Sequence, residues 1–268
     1  MLCRILTILP PPPASKENQA LAYVGHRARF WRLGSVVSRS AKLILLALGQ
    51  ALWQSSPPMR PITILIVTTL ITGCCSAPKQ AGSITLFDGK SFSGWEGNKE
   101  FFRIEDGSIV AGRLNKKIPN NEFLCTTDEY ENFELRLKFK VVGSPNANAG
   151  IQFRTKRIPN HHEVIGFQAD IGQNFWGALY DESRRRKVLA GPAAEDIPQI
   201  ANFKGWNNYR ISARGNHIQL FLNDHKTVDY MEEDLTIAKS GIIALQVHGG
   251  PACEIWYKDI EITRYPNY

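Results

Sequence analysis

The sequence predicts an all-β domain over residues 84–266, with two antiparallel sheets packed as a jelly-roll sandwich. Three observations carry that expectation. First, residues 132–142 alternate strictly. Phe133, Leu135, Leu137, Phe139 and Val141 are interleaved with Glu134, Arg136, Lys138 and Lys140, which marks a strand with one buried and one wet face. Second, turn signals cut the chain into roughly twelve or more short strands with no repeat of fixed period. Third, no stretch holds helical periodicity over three turns. A sandwich or a barrel meets these conditions. The two-sheet sandwich is the natural solution because each strand must bury one face, and roughly 185 residues suffice for one core.

Residues 84–87 form a short strand, stopped by the turn signal Asp88-Gly89-Lys90, with Trp95 as a core anchor. Residues 101–104 and 108–111 flank Asp106-Gly107, a strong hairpin signal. Residues 123–126 are another short strand. After 132–142, residues 150–154 alternate again, which places Ile151 and Phe153 on one face and Gln152 and Arg154 on the other. Residues 163–171 are more apolar, with Gln168 and Asp170 sharing a face. Residues 191–205 are irregular. Residues 206–213, 217–223 and 226–230 form a meander, and 232–239 allow one turn of helix. Residues 241–248 and 254–264 close the domain; in the latter both faces are mixed.

Residues 168–189 stand apart. Beyond the opening strand they hold Trp176, Tyr180, Asp181, Glu182 and Arg184 to Arg186. Two readings fit. One is a solvated loop whose charges pair with each other. The other is a recognition loop, with Trp176 and Tyr180 as flat apolar platforms and Asp181, Glu182 and Arg185 orienting a hydroxyl-rich ligand.

The N-terminal region reads as an address. Residues 1–58 are expected to be an upstream extension, disordered or not native to the protein. Residues 59–73 form a signal of lipoprotein type: Met59-Arg60, an apolar run over 62–70, then Ile71-Thr72-Gly73 before Cys74. Cys74 is the residue a lipid would be attached to, and 74–83 the tether. Ordinary cleavage near Ala77 or an uncleaved anchor are the other readings. Met59 then serves as the translation start. An exported domain follows, periplasmic or held at the outer membrane by its lipid. The formal charge of +7 sits in this segment: residues 1–58 carry a net +6, residues 82–268 a net −1. The folded part therefore lacks the basic surplus of a nucleic-acid surface, and no nucleic-acid partner is expected. The five cysteines show no metal-ligand spacing, and Cys125 and Cys253 are either a disulfide or two buried thiols.

Several motifs in order resemble the 3-keto-disaccharide hydrolase family. Leu86-Phe87-Asp88-Gly89-Lys90 with Gly94-Trp95 resembles its start, as does Phe102-Arg103-Ile104-Glu105-Asp106-Gly107. Asn132 to Arg136 with Asn148 to Arg154 resembles its central strand pair. Gly166 to Gly172, Trp176 to Glu182 and Ala244 to Gly250 are similar to one branch of it. The resemblance covers about residues 84–265. It implies a concanavalin A-like jelly roll acting on glucosides oxidised at carbon 3, by elimination to a 3-keto-2-hydroxyglucal and hydration of that glucal.

Such chemistry needs a base for the carbon-2 proton, an acid for the leaving oxygen and a partner for the enolate. Asp170 is the candidate base, and His248 the acid or enolate stabiliser. Arg154 is the candidate cation for the oxyanion; an Asp170–Arg154 ion pair is its structural alternative, and a turn cap is that of His248. Gln152, Gln168 and Gln246 suit sugar hydroxyls. A divalent metal on Asp170, Glu163 or His248 would polarise the ketone. No compact ligand motif calls for one, so the metal stays open. His161 and His162 on a strand would face opposite ways. The competing function is a non-catalytic carbohydrate-binding module of lectin type on the cell surface.

Overall fold

The structure, a computed structural model, describes residues 82–266. The extension, the signal and the lipidation residue Cys74 lie outside the described residues. Fifteen strands and one helical turn follow one another in the order β1 (Ile84–Thr85), β2 (Trp95–Glu96), β3 (Phe102–Glu105), β4 (Ser108–Arg113), β5 (Glu122–Tyr130), β6 (Phe133–Gly143), β7 (Asn148–Arg157), β8 (Val164–Gly172), β9 (Leu179–Glu182), β10 (Val188–Ala190), α1 (Ile197–Ile200), β11 (Asn207–Arg214), β12 (His217–Leu222), β13 (His225–Met231), β14 (Gly241–Val247) and β15 (Cys253–Arg264).

They build two antiparallel sheets. The first runs β13-β12-β11-β6-β15-β4-β3, with β1 also pairing β15; the second runs β10-β9-β8-β7-β14-β5-β2. The chain changes sheet between β1 and β2, β2 and β3, β4 and β5, β5 and β6, β6 and β7, β10 and β11, β13 and β14, and β14 and β15. Sequence neighbours are thus spread over both layers, as a jelly roll requires. The one helical turn among the described residues falls in the stretch expected to be irregular, with proline in its first turn; residues 232–239 are not helical. Cys125 and Cys253, the two cysteines among the described residues, are free and buried.

The core follows from the alternation. Phe133, Leu135, Leu137 and Phe139 of β6 are all buried, while Arg136 between them is exposed. From the second sheet Ala149, Ile151 and Phe153 of β7, Phe167, Ala169 and Ile171 of β8, and Ile243, Leu245 and Val247 of β14 meet them. Phe153 joins the layers, edge-on to Phe133 at 6.3 Å and stacked on Phe167 at 5.7 Å. Trp95 is buried as expected and its indole donates to the Leu86 carbonyl at 2.7 Å. Asp106 and Gly107 both take positive φ, as the β3–β4 hairpin requires.

Two bulges change the phase of the alternation. In β15 the pairing to β6 shifts between Lys258 and Glu261, where Asp259 has φ +52°. Ile255 and Tyr257 before the bulge, and Ile260 and Ile262 after it, therefore all reach the core. That is why both faces look mixed in the sequence. In β7 the pairing to β8 shifts between Phe153 and Lys156, where Arg154 has φ +48°.

Candidate active site

The face of the second sheet turned away from the core is polar, and its polar groups are buried. Strand register sets its plan. In one row Gln246 of β14 stands opposite Gly150 of β7, which stands opposite Asp170 of β8. In the next, Ala244, Gln152, Gln168 and Tyr180 lie side by side across β14, β7, β8 and β9. Gly166 of β8 then pairs with Glu182 of β9. Gln152, Gln168, Asp170 and Gln246 are each 0 % exposed. Four adjacent fully buried polar side chains demand partners, because an unsatisfied buried group costs about 1–3 kcal/mol.

Some partners are internal. The Gln152 amide nitrogen donates to Gln168 Oε1, and Gln168 Nε2 donates to Asp170 Oδ1 at 2.7 Å. The Asp170 backbone is pinned as well: its N–H donates to the Ala178 carbonyl, and its own carbonyl accepts from Gly177 N–H. From the core side, Tyr209 Oη donates to the same carbonyl at 3.3 Å. Gln246 differs. Among the described residues neither atom of its amide has a hydrogen-bond partner, and Gln152 Oε1 has none either.

Tyr180 closes the site on the β9 side. Burial, then the nearby Glu182 and Asp170 carboxylates, push its phenol well above the ordinary value. It is therefore a proton-bearing donor at any physiological pH. His248 follows β14 directly, and its N–H donates to the Asn148 carbonyl at 3.1 Å. The His248 Nδ1 sits 2.6 Å from the Gly249 carbonyl. A carbonyl only accepts, so Nδ1 carries a proton and Nε2 is the basic nitrogen of the neutral ring. Standard strand spacings put Asp170 and His248 on the order of 10 Å apart, two strands across.

Four expected site residues are placed elsewhere. Arg154 does not share the Gln152 face, because the β7 bulge turns it away. Its guanidinium donates to the Glu131 carbonyl at 2.9 and 2.7 Å and to the Gly215 carbonyl at 2.6 Å. It is neither an oxyanion cation nor an ion-pair partner of Asp170. Burial pulls its pKa down to about 10, still well above neutrality. Trp176 is a core residue, 6.0 Å from Phe139 and edge-on to Phe203 at 5.3 Å. Asp181 faces inward and binds Arg184 and Arg185, and Arg185 also holds Glu232 at 2.6 Å. That network ties the β9–β10 hairpin of one sheet to the end of β13 in the other. The stretch 168–189 is therefore a strand, a buried turn and a hairpin. Of its candidates, only Gln168, Asp170, Tyr180 and Glu182 lie on the polar face.

His161 and His162 sit in the turn before β8, not on a strand, with their rings stacked at 4.5 Å. Glu163 accepts from Asn121 at 2.9 Å. Among the described residues no three His, Cys, Asp or Glu side chains are grouped so as to hold a metal ion. One participant was missed: Gly150. A Cβ there would lie 2.5 Å from Cγ and Cδ of Gln168. A glycine inside an alternating strand was the available signal, since it marks a close approach.

A family model of the 3-keto-alpha-glucoside-1,2-lyase-like domain matches residues 82–263. A curated 3-keto-disaccharide hydrolase of Bacteroides thetaiotaomicron is 26% identical over 171 residues, covering 56% of this chain and 58% of that protein. The match thus spans little more than half of the relative's length. Among solved structures, a Parabacteroides distasonis protein provisionally named a glycosyl hydrolase is similar at TM-score 0.53 and 17% identity. The match covers 69% of this chain and 94% of that one. The carbohydrate-binding module CBM66 of Bacillus subtilis is similar at TM-score 0.51 and 10% identity, covering 63% and 95%. At such identities the two structures speak for the sandwich fold alone.

Proposed function

The chain belongs to the 3-keto-alpha-glucoside-1,2-lyase-like domain family, and on that premise we propose that it cleaves 3-keto-glycosides, 3-keto-disaccharides among them, by elimination and hydration. The observation that carries this reading is the row Gln246–Gly150–Asp170. A buried carboxylate held in place by an amide stands two strands across, with Gly150 between, from a buried amide with both ends unpartnered among the described residues. The first group can take a proton, and the second can orient a hydroxyl or carbonyl beside it.

In this reading the Asp170 carboxylate removes the carbon-2 proton, which the 3-keto group acidifies. The electron pair moves into an enolate and then into a carbon-1–carbon-2 double bond as the glycosidic carbon–oxygen bond breaks. The departing oxygen takes a proton from Nε2 of His248 in its imidazolium form, which leaves the neutral ring with its proton on Nδ1. Water then adds at carbon 1 and a proton returns to carbon 2, giving 3-keto-glucose. With Arg154 turned away, the Tyr180 phenol and the Gln246 amide supply the hydrogen bonds to the enolate oxygen and neighbouring hydroxyls. In the same reading the domain works outside the cytoplasm, tethered by lipid at Cys74.

The test is incubation with 3-keto-trehalose in heavy water, with and without EDTA, followed by mass spectrometry. Release of 3-keto-glucose with deuterium at carbon 2 is expected, and Asp170→Asn should abolish both with unchanged unfolding. Full activity of that variant would remove Asp170 from the chemistry. Tight binding without release or exchange would favour a carbohydrate-binding module.

A further inference from the structure

We propose that Gln152 and Gln168 act as positioning residues rather than sugar ligands, forming a one-way amide relay that aims the Asp170 carboxylate, with Gly150 providing the space the relay crosses. The inference rests on the reading of Asp170 as the base. Its direction follows from hydrogen-bond chemistry. A carboxylate only accepts, so Gln168 must turn its Nε2 toward Asp170 Oδ1, as it does at 2.7 Å. Its Oε1 then faces β7, and only an N–H can meet it there. Gln152 supplies one. One charge therefore sets the orientation of two amides.

Burial gives the relay its rigidity. All three side chains are 0 % exposed, so a flipped amide would face an acceptor with an acceptor and have no bulk water to turn to. The carboxylate is gripped at Oδ1 while its backbone is held by Ala178, Gly177 and Tyr209. Rotation about Cβ–Cγ is thereby stopped and Oδ2 keeps one direction. Proton abstraction gains from such preorganisation. The crossing itself needs Gly150. The Gln168 side chain lies over it, and any Cβ there would meet two of its carbons at 2.5 Å. Both ends of the Gln168 amide are engaged within the relay, which leaves binding of sugar hydroxyls to Gln246. Gln152 Oε1 is the far end of the chain. It has no partner among the described residues.

The experiment compares kcat and KM of the full chain on 3-keto-trehalose for Gln168→Leu, Gln152→Glu and Gly150→Ala. Gln152→Glu keeps the shape but sets an acceptor against Gln168 Oε1, so that one amide can no longer satisfy both of its neighbours. For each variant kcat should fall about 10- to 100-fold, the weight of one charge-assisted hydrogen bond, with KM changed less than about threefold. A rise in KM with kcat retained would show that the glutamines bind sugar, and the relay would fall while Asp170 stayed the base. Active Asp170→Asn would instead bring down the base itself. A second readout needs no substrate. In ¹⁵N spectra Asp170→Asn should move the side-chain amide resonances of both Gln168 and Gln152. A Gln152 resonance that stays in place overturns the relay even if no substrate is turned over.

Discussion

Replacing Arg154 by methionine separates a structural cation from a catalytic one. Methionine keeps most of the apolar stem, so the change removes chiefly the guanidinium bonds. Three of these are short, two to the Glu131 carbonyl and one to Gly215; the fourth, to Asn132 Oδ1, is long at 3.4 Å. A hydrogen bond from a charged donor contributes about 1.5–3 kcal/mol. Two of the three share one acceptor, and Glu131 is only half-buried, so water can recover part of what is lost. Relief of the buried charge offsets more. The net destabilisation should be about 2–4 kcal/mol, a large part of a typical total of about 5–15 kcal/mol. Equilibrium unfolding in urea reads this as a lower midpoint at unchanged slope. Because residue 154 has φ +48°, Arg154→Gly should be more stable than Arg154→Ala by about 1 kcal/mol. Activity per folded molecule should stay within about threefold of the parent. Unfolding changed by less than about 0.5 kcal/mol, with kcat down a hundredfold, would refute the assignment and return Arg154 to the oxyanion.

Two further predictions concern Trp176 and Glu232, the partner of Arg185. Trp176→Ala should destabilise by about 3–5 kcal/mol, through lost packing on Phe139 and Phe203, without the selective loss of sugar affinity that a platform would show; urea unfolding and calorimetric titration distinguish the two. Burial raises the Glu232 carboxyl, but hydrogen bonds from Arg185 and the Asp234 N–H outweigh it, and the carboxyl stays below its ordinary 4.5. A depressed carboxyl contributes stability above that ordinary value and loses it as pH falls through the lowered one. Unfolding free energy measured from pH 6 to pH 3 should drop in the parent, and Glu232→Gln should flatten that part of the slope.

The chain determined a good deal on its own. Period-two alternation is local, so β6 could be read directly, and so could the Asp106-Gly107 hairpin and the pairing of Gln168 with Asp170 on one face. The family motifs, short and in order, pointed to the fold before any contact was known. The tertiary structure decided what depends on a distant partner. A bulge at Arg154 and another at Asp259 shift the register against the neighbouring strands, and each reverses the side-chain phase that alternation predicts. The charges of 181–185 looked like a ligand grip because Glu232, their real counterpart, lies 47 residues beyond Arg185 and meets them only across the sandwich. Trp176 looked like a platform because Phe139, which covers it, belongs to the other sheet. Sequence pattern can report which face a side chain leaves from. What stands opposite that face is a property of two sheets meeting, and it was that meeting which left Asp170, Gln168, Gln152 and Gln246 on one buried surface.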